Sequence, residues 1–586
     1  MIYFDVETTG VQWYAHELFL FQALDSKTDK SVVLRHPRDH VQIQAWLNQK
    51  DRYCAWNSHF DLHALKSAGY SLPNSARWHD GMIVAHLLDS NSPLALKKRA
   101  AQLFGEQERD PEVAVQDWLM KERRARRKEH GKDMIYPNYK DVPAEIMFPY
   151  ALADCYLVSK IMDRYGPDFD MPDVYRLERD VMVALFDAEC LGIPFDREAA
   201  LAYREALERD LVGLEARCYE LADTEAFNPR SSPKVYAALE SRGADLSRVE
   251  NRSMDVTNLQ TVDDELAEAV LALRGESKNL NTYVKPLFEQ TWKSALHSYK
   301  APFLTDKDRV HPNFRQLGAR TARMSCADPN FQNLPRDDLR YRYLVKASEG
   351  KKLISADLDS VELRIFAALA GEGALLTALL NGSDLHSQTA VAAGLKDYRR
   401  RGSIETARQR GKTLNYAIIY GAGAKGLMKA FDVSRPEAKS IIKRYHHAYP
   451  EVGRLQDNIL DDLRRQGYVE SLWGRKFRSE DPEQDGYKFT NYLVQGTAAE
   501  LIKVATVRLH KQGVPVIAVV HDEILAEVDE SEAEWACELI REAMVNHPRI
   551  TKTVPLLAEA KILDRWSDAK DPNFCPSYLS HRIRVS

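Results

Sequence analysis

At 586 residues the chain is long enough for two to four domains with ample core. Its formal net charge is only -5, so a nucleic-acid partner would have to be held by local basic clusters, not by a global positive field. No apolar run approaches the roughly 18 residues of a membrane span, the start MIYFDVETTG leaves no room for a signal peptide, and seven scattered cysteines without a CxxC pair imply free thiols in a reducing, cytoplasmic compartment.

In the first strand Ile2, Phe4 and Val6 alternate with Tyr3, Asp5 and Glu7, which puts Asp5 and Glu7 on one face. Two adjacent carboxylates repel, and a divalent cation with a preference for hard oxygen ligands, magnesium or manganese, relieves that cost. Asn57, Phe60 and Asp61 follow in NSHFD, and Tyr150 and Asp154 in YALAD are four apart, hence on one helix face. Asp80, in WHDGMIVAHLLD, reads as a scaffold or helix-start residue. The ordered set DxE, NxxFD, YxxxD resembles the proofreading 3′–5′ exonucleases with four carboxylates and a tyrosine. That resemblance implies an RNase H-like domain in which Asp5, Glu7, Asp61 and Asp154 hold two metal ions and Tyr150 orients the attacking water. Two ions about 3.5–4 Å apart clamp the attacking and departing oxygens of a phosphodiester. The basic run Lys121 to Lys132, KERRARRKEHGK, has two readings, a solvated helix face and a track for a phosphate backbone.

From Leu177 to Asp223 the pattern is helical, and a second helical segment covers Asp263 to Arg274, followed by KNLNTY at 278–283. These form an arm able to lie along a duplex, with no room before the next motif for a large inserted processivity domain. TARMSCADPNFQNLPR, with Arg323, Gln332, Asn333 and Arg336, reads as a loop. Its side chains can donate to minor-groove acceptors, which occupy similar places in either orientation of an A·T pair. The motif resembles the family A DNA polymerases, the bacterial polymerase I class.

Leu353 to Ala370, LISADLDSVELRIFAALA, begins as a buried strand and becomes a helix, with Asp357 where the strand ends. Asp359 and Glu362 have the spacing of a capping box. The resemblance instead makes Asp357 a metal ligand beside the Leu358 carbonyl, and Glu362 the steric gate against a ribose 2′-hydroxyl. Arg408, Lys412, Tyr416 and Tyr420 recur every four residues, a stripe of cations then aromatics that suits a nucleoside triphosphate. The resemblance makes this the fingers helix, with Lys412 stabilising or protonating the leaving pyrophosphate and His386 near the same phosphates. Tyr416, where bacterial members commonly have phenylalanine, together with the YGAG and HDEI wording, resembles the phage replicative members. Asn491 and Gln495, one turn apart, match template and minor-groove contacts, while Leu493 and Val494 read as core. Val516 to Val528 reads as a hairpin with His521, Asp522 and Glu523 at its tip. The resemblance pairs Asp522 with Asp357 across two magnesium ions, with manganese a substitute. It adds Glu523 as a supporting acid on the metal side and sets His521 at the primer end. AEAKILDRWSDAK closes the family pattern, and the tail 571–586 has no reading.

The expected fold is multidomain α/β and α+β: an RNase H-like exonuclease domain (1–175), then a right-hand polymerase. Its parts are the thumb and start of the polymerase domain (176–315), palm (316–370), fingers (371–490), and palm again with the tail (491–586). The expected activity is template-directed DNA synthesis with proofreading, by a monomer that uses primer-template DNA and dNTPs, with a replisome helicase and single-strand binding protein as further partners. The exonuclease motifs start at residue 2, so no 5′ nuclease domain is expected. Rival readings are a repair-type polymerase and an exonuclease whose C-terminal region only binds DNA. A single-subunit RNA polymerase is disfavoured by Glu362 and the exonuclease motifs, and a binding protein with dead sites by the intact carboxylates.

Overall fold

The computed structural model describes residues 1–586 except 132–133, 166–172, 225, 294–297, 335–337, 401–402 and 581–586. The first sheet has the order β3-β2-β1-β4-β5, formed by β1 (Ile2–Thr8), β2 (Leu18–Asp25), β3 (Lys30–Arg35), β4 (Tyr53–Ala55) and β5 (Trp78–Asp80). β1 is central, antiparallel to β2 and parallel to β4. Both Tyr3 and Phe4 are buried, so the sheet is covered on both faces and burial does not follow the simple alternation of the sequence. Around it lie α1 (Ser58–Ser67), α2 (Leu96–Phe104), α3 (Asp110–His130) and α4 (Ala144–Tyr165). Asp80 is a scaffold residue: its carboxylate accepts from the Asn57, Ser58 and Met82 amides, tying the start of α1 to the start of the helix Gly81–Leu88.

The helical run expected over Leu177–Asp223 is two helices, α5 (Asp173–Leu191) and α6 (Arg197–Leu221). Gly192 at φ +68° and Pro194 stop the first, Ile193–Pro194 pairs with Arg309–Val310, and Asp196 caps the second through the Ala199 amide. α6 packs against the helix Glu265–Lys278, and beyond them Cys218, Leu239, Leu259 and Val270 form a small core of their own.

The second sheet is antiparallel throughout, in the order β7-β8-β6-β9, from β6 (Lys351–Leu358), β7 (Val516–Val520), β8 (Glu523–Asp529) and β9 (Ala558–Leu563). β7 and β8 are the expected hairpin, but its turn is only His521 and Asp522, and Glu523 already belongs to β8. Further helices around this sheet are α7 (Val361–Ala370), α8 (Leu385–Ala392), α9 (Ala407–Ile419) and α10 (Phe489–Lys511). Leu493 and Val494 of α10 are buried. Among the described residues no helix is long and apolar enough to cross a membrane, and all seven cysteines are free thiols.

One helix joins the two halves. α5 sends Tyr175, Met182 and Phe186 into the core of the first sheet, and Val174, Leu177, Val181 and Leu185 into that of the second. Glu178 on the same helix is fully buried and accepts from Lys503 of α10 at 2.6 Å, from Gln316 at 2.6 Å and from Arg475. Burial alone would protonate this acid, but Lys503 and Arg475 hold it below the usual carboxylate range. Removing one partner of such a group strands the others. Glu178→Ala is therefore expected to cost about 3–5 kcal/mol of unfolding free energy by denaturant titration. A loss under about 1 kcal/mol would show that the seam carries little.

Candidate active sites

The first candidate site is built on β1, α1 and α4. Asp5, Glu7 and Asp154 each offer an oxygen within 4.8 Å of the others. Asp61 is buried beside them and accepts from the Val6 amide at 3.1 Å. Burial, then the neighbouring Asp154, pushes Asp5 up to about 7, and burial with Asp5 pushes Glu7 well above its ordinary value. Asp61 and Asp154 are raised by the same burial. Tyr150, one turn from Asp154 on α4, is raised by burial and by Glu7.

Two groups that carry no sequence motif complete the site. Lys97 of α2 donates to Asp154 at 2.5 Å and to the Tyr150 hydroxyl at 3.2 Å, with its ammonium 4.3 Å from the Tyr150 ring centroid. Burial works against this ammonium, yet Asp154, with Asp5 and Glu7, keeps it above the ordinary lysine value. Gln22 faces Asp5 across the β1–β2 register and donates to it. One lysine, the Gln22 amide and the Val6 backbone N–H do not balance four clustered acids, and Asp154 Oδ1 has no hydrogen-bond partner. A compact set of hard oxygens short of positive charge fits a divalent cation.

The second candidate site is a cavity of ≈ 940 Å³ with the end of β6 and the β7–β8 turn on one wall and α9 on another. Asp357 and Asp522 both line it and both keep solvent access, at 46% and 27% of their side-chain surface. The Leu358 amide donates to the Asp522 carbonyl at 3.2 Å, which locks the strand end to the turn. Lys570 lies 4.0 Å from Asp357, and Arg323 lies 3.8 Å from Asp522. His521, at φ +57°, donates from Nε2 to the Gln332 carbonyl at 2.8 Å. Asp357 and Asp522 thus offer carboxylate oxygens that fit a divalent cation. Glu523 does not: its Oε1 accepts from Ser355 and Trp566 at 2.6 Å each, and its Oε2 from Arg342 at 3.2 Å.

The capping box read from Asp359 and Glu362 does not form. Ser360, at φ +49°, takes the N-cap position with no side-chain cap, and the Asp359 side chain lies exposed near Arg364. Glu362 is buried because it accepts from Arg323 and, at 2.9 Å, from the Tyr420 hydroxyl. Burial and Glu362 push that phenol up to about 12. Lys412 and Tyr416 line the cavity from α9, while Tyr420 is the residue that ends that helix. Arg408 pairs with Asp384 at 2.7 Å, and His386 is buried against Asn415 at 3.2 Å, with its ring 6.3 Å from Tyr416. Burial, with Arg408 and Lys412, lowers the His386 pKa.

The backbone carbonyl of Asn333 accepts from the Tyr283 hydroxyl at 2.6 Å, and the residue is exposed. Asn491 and Gln495 are half-buried on α10, with Asn491 Oδ1 unpartnered. Arg336 lies outside the described residues. Of the expected site residues, Arg408, His386, Asn333, Asn491 and Gln495 stand back from the cavity wall.

Residues 197–568 match the pattern described as DNA polymerase family A, and residues 2–120 match the RNase_H superfamily. Similar curated proteins include DNA polymerase I of Chloroflexus aurantiacus, 27% identical over 536 residues (88% of this chain, 54% of that protein). DNA polymerase I of Pseudomonas aeruginosa is 28% identical over 599 residues (94% and 59%), and the thermostable DNA polymerase I of Thermus aquaticus is 30% identical over 422 (68% and 49%). The chain thus spans about half the length of these curated relatives. A solved structure described as the POL domain of Pol1 from M. smegmatis, in complex with DNA primer-template and dNTP, has the same fold at a TM-score of 0.74 and 21% identity. That likeness covers 97% of this chain and 95% of that one.

The raised acids of the first site set a pH dependence. A carboxyl whose folded pKa lies above its unfolded value costs stability that grows as pH rises from the unfolded pKa, 3.8 for Asp5, to the folded one, about 7, and stays at its full size above that. A cation that pairs with the ionised cluster offsets this cost. Magnesium is therefore expected to raise the melting temperature more at pH 8 than at pH 5.5, and Asp5→Asn to shrink the difference, as read by calorimetry. Equal shifts at both pH values would contradict it.

Proposed function

This chain belongs to DNA polymerase family A, and from that premise we propose that it is a template-directed DNA polymerase that proofreads with a 3′–5′ exonuclease site. The observation that carries the polymerase reading is the meeting of Asp357 and Asp522 in one cavity with Lys412, Tyr416 and Glu362. The Asp5, Glu7 and Asp154 cluster carries the exonuclease reading. Magnesium, with manganese a substitute, held by Asp357, Asp522 and the Leu358 carbonyl in one site and by Asp5, Glu7, Asp61 and Asp154 in the other, would supply charge that activates the attacking oxygen and neutralises the departing one.

The chain's own residues position and stabilise. Lys412 offers its charge to the triphosphate and stabilises the leaving pyrophosphate, and Arg408, on exchanging Asp384 for phosphate, adds a second cation. Tyr416 offers a flat ring to base and sugar. Glu362, fixed by Arg323 and Tyr420, narrows the space beside the sugar and rejects a 2′-hydroxyl. His386 acts from behind Tyr416 and supports the same phosphate wall. His521 meets the primer end, and Arg323, Gln332, Asn333, Asn491 and Gln495 serve the template and minor groove, a set to which the sequence adds Arg336. Glu523, saturated by three donors, braces the turn that carries Asp522. In the other site Tyr150 orients the attacking water.

The finer reading is phage genome replication in a host cytoplasm, as a monomer, with a helicase and a single-strand binding protein as partners. It rests on Tyr416 and the YGAG and HDEI wording, whereas the relatives named above are bacterial; a repair-type polymerase is the second reading.

Primer extension and degradation assays separate the two sites. Asp522→Ala is expected to cut extension by about a thousandfold, the scale of losing transition-state charge stabilisation, with degradation intact. Asp5→Ala should do the reverse. Extension that survives Asp522→Ala refutes the assignment of Asp522 to the polymerase site. Wild type should also accept dideoxynucleotides readily, and Tyr416→Phe should raise discrimination against them by on the order of tenfold or more. Unchanged dideoxy incorporation would remove the support Tyr416 gives to the phage reading.

A further inference from the structure

α3 is 21 residues long, but only its first half is packed. Val115 and Leu119 are buried with Phe19, Leu20, Met147 and Ala151. Beyond Leu119 no residue of the helix is buried, so roughly 16 Å of helix, at 1.5 Å per residue, lies at the surface with most of its side chains in solvent. This end carries six lysine and arginine residues (121, 123, 124, 126, 127 and 128) against two glutamates (122 and 129).

A solvated helix normally meets its cations with acids three or four residues away. Here both acids are used at the margins: Glu122 pairs with Arg126 at 2.8 Å, and Glu129 lies 3.7 Å from His130. Lys121, Arg124, Arg127 and Lys128 are exposed, and among the described residues none of them forms an ion pair. Lys121, Arg124 and Lys128 fall at i, i+3 and i+7, on one stripe.

A second observation fixes how the helix end that carries this stripe is held, from its opposite face. Arg126 also pairs with Asp141 at 2.9 Å, which braces the helix end against the returning chain. That returning chain reaches the exonuclease cluster: Asn138 donates to the Thr9 carbonyl at 2.7 Å, two residues past Glu7, and the Tyr139 ring lies 6.2 Å from Tyr150. The unpaired cations and the rim of the four-acid site therefore belong to one braced structure.

We propose that the C-terminal half of α3 is a binding surface for single-stranded DNA that guides a 3′-terminal strand into the site of Asp5, Glu7 and Asp154. The inference rests on the exonuclease reading above and adds a surface to it. On that reading the strand that enters is single, because base pairing and stacking in a duplex end would hold the terminal nucleotide away from the site. The stripe supplies what such a strand offers at every position, phosphate charge without base identity.

The test uses the full chain with Lys121→Ala, Arg124→Ala and Lys128→Ala together, substitutions that favour helix and leave the packed half of α3 untouched. Binding of a fluorescent 20-nucleotide oligo(dT) is measured by anisotropy across a salt series in an Asp5→Ala background, so that the probe survives. The slope of log K against log salt should fall by about 2, from three lost contacts at roughly 0.7 each. With the cluster intact, kcat/KM for degrading the 20-mer should fall on the order of tenfold, through KM, while a trinucleotide too short to reach the arm is cut as before. An unchanged salt slope overturns the proposal, as does equal loss on both substrates. Variant-sensitive binding of poly-glutamate with unaltered oligo(dT) binding also overturns it, in favour of an acidic protein. If the wild type with magnesium degrades neither substrate, it is the exonuclease reading that fails.

Discussion

The register between β6 and β8 is the constraint on which the second site depends. Asp357 lies opposite Glu523, and the Leu358 amide is bound to the Asp522 carbonyl. Side chains alternate with a period of two, so a slip of one residue would turn Asp357 to the other face of the sheet and leave Asp522 without its neighbour. The apolar face opposite Asp357 makes such a slip costly, because Ile354 and Ala356 pair there with Ala526 and Ile524 and all four are fully buried. α7 begins three residues after β6, so the same register also sets where Glu362 meets Arg323 and Tyr420.

Buried acids are handled in two opposite ways in this molecule. Glu178 and Glu523 are surrounded by donors from distant parts of the chain, among them Lys503, Arg475 and Arg342, so each is held in place with no call for a metal ion. Asp5, Glu7, Asp61 and Asp154 are gathered with far fewer donors, and their proton affinities rise accordingly. The distinction is a matter of the charged and hydrogen-bonding partners supplied, since a carboxylate already engaged on both oxygens has little left to offer a metal.

How much of this was legible in the sequence follows from the range of each interaction. Asp5 and Glu7 on one strand, Tyr150 and Asp154 on one helix, and the hairpin around Asp522 are set by periodicity within a few residues, and they are readable at that range. Glu523 read as part of the tip because three polar letters stand together. Its burial depends on Ser355, Arg342 and Trp566, which no local pattern brings near. Asp359 and Glu362 spelled a capping box, yet Glu362 is drawn away by Arg323 and Tyr420, and the left-handed Ser360 starts the helix instead. The break at Gly192 and Pro194 was present in the letters, but the helical composition on both sides outweighed it. Lys97 carried no signal, since its role exists only once α2 lies beside α4.

α5 gives residues to the cores of both sheets and anchors Glu178 to α10. A helix shared in this way is a weld, not a hinge: the two sites cannot approach each other without exposing apolar surface on both sides and parting a fully buried acid from its cations. On the proposed function, the travelling part is then the nucleic acid. Traffic between synthesis and removal is governed by how readily the last base pairs of the primer come apart, so a mismatched end, already frayed, selects itself for removal without any rearrangement of the protein.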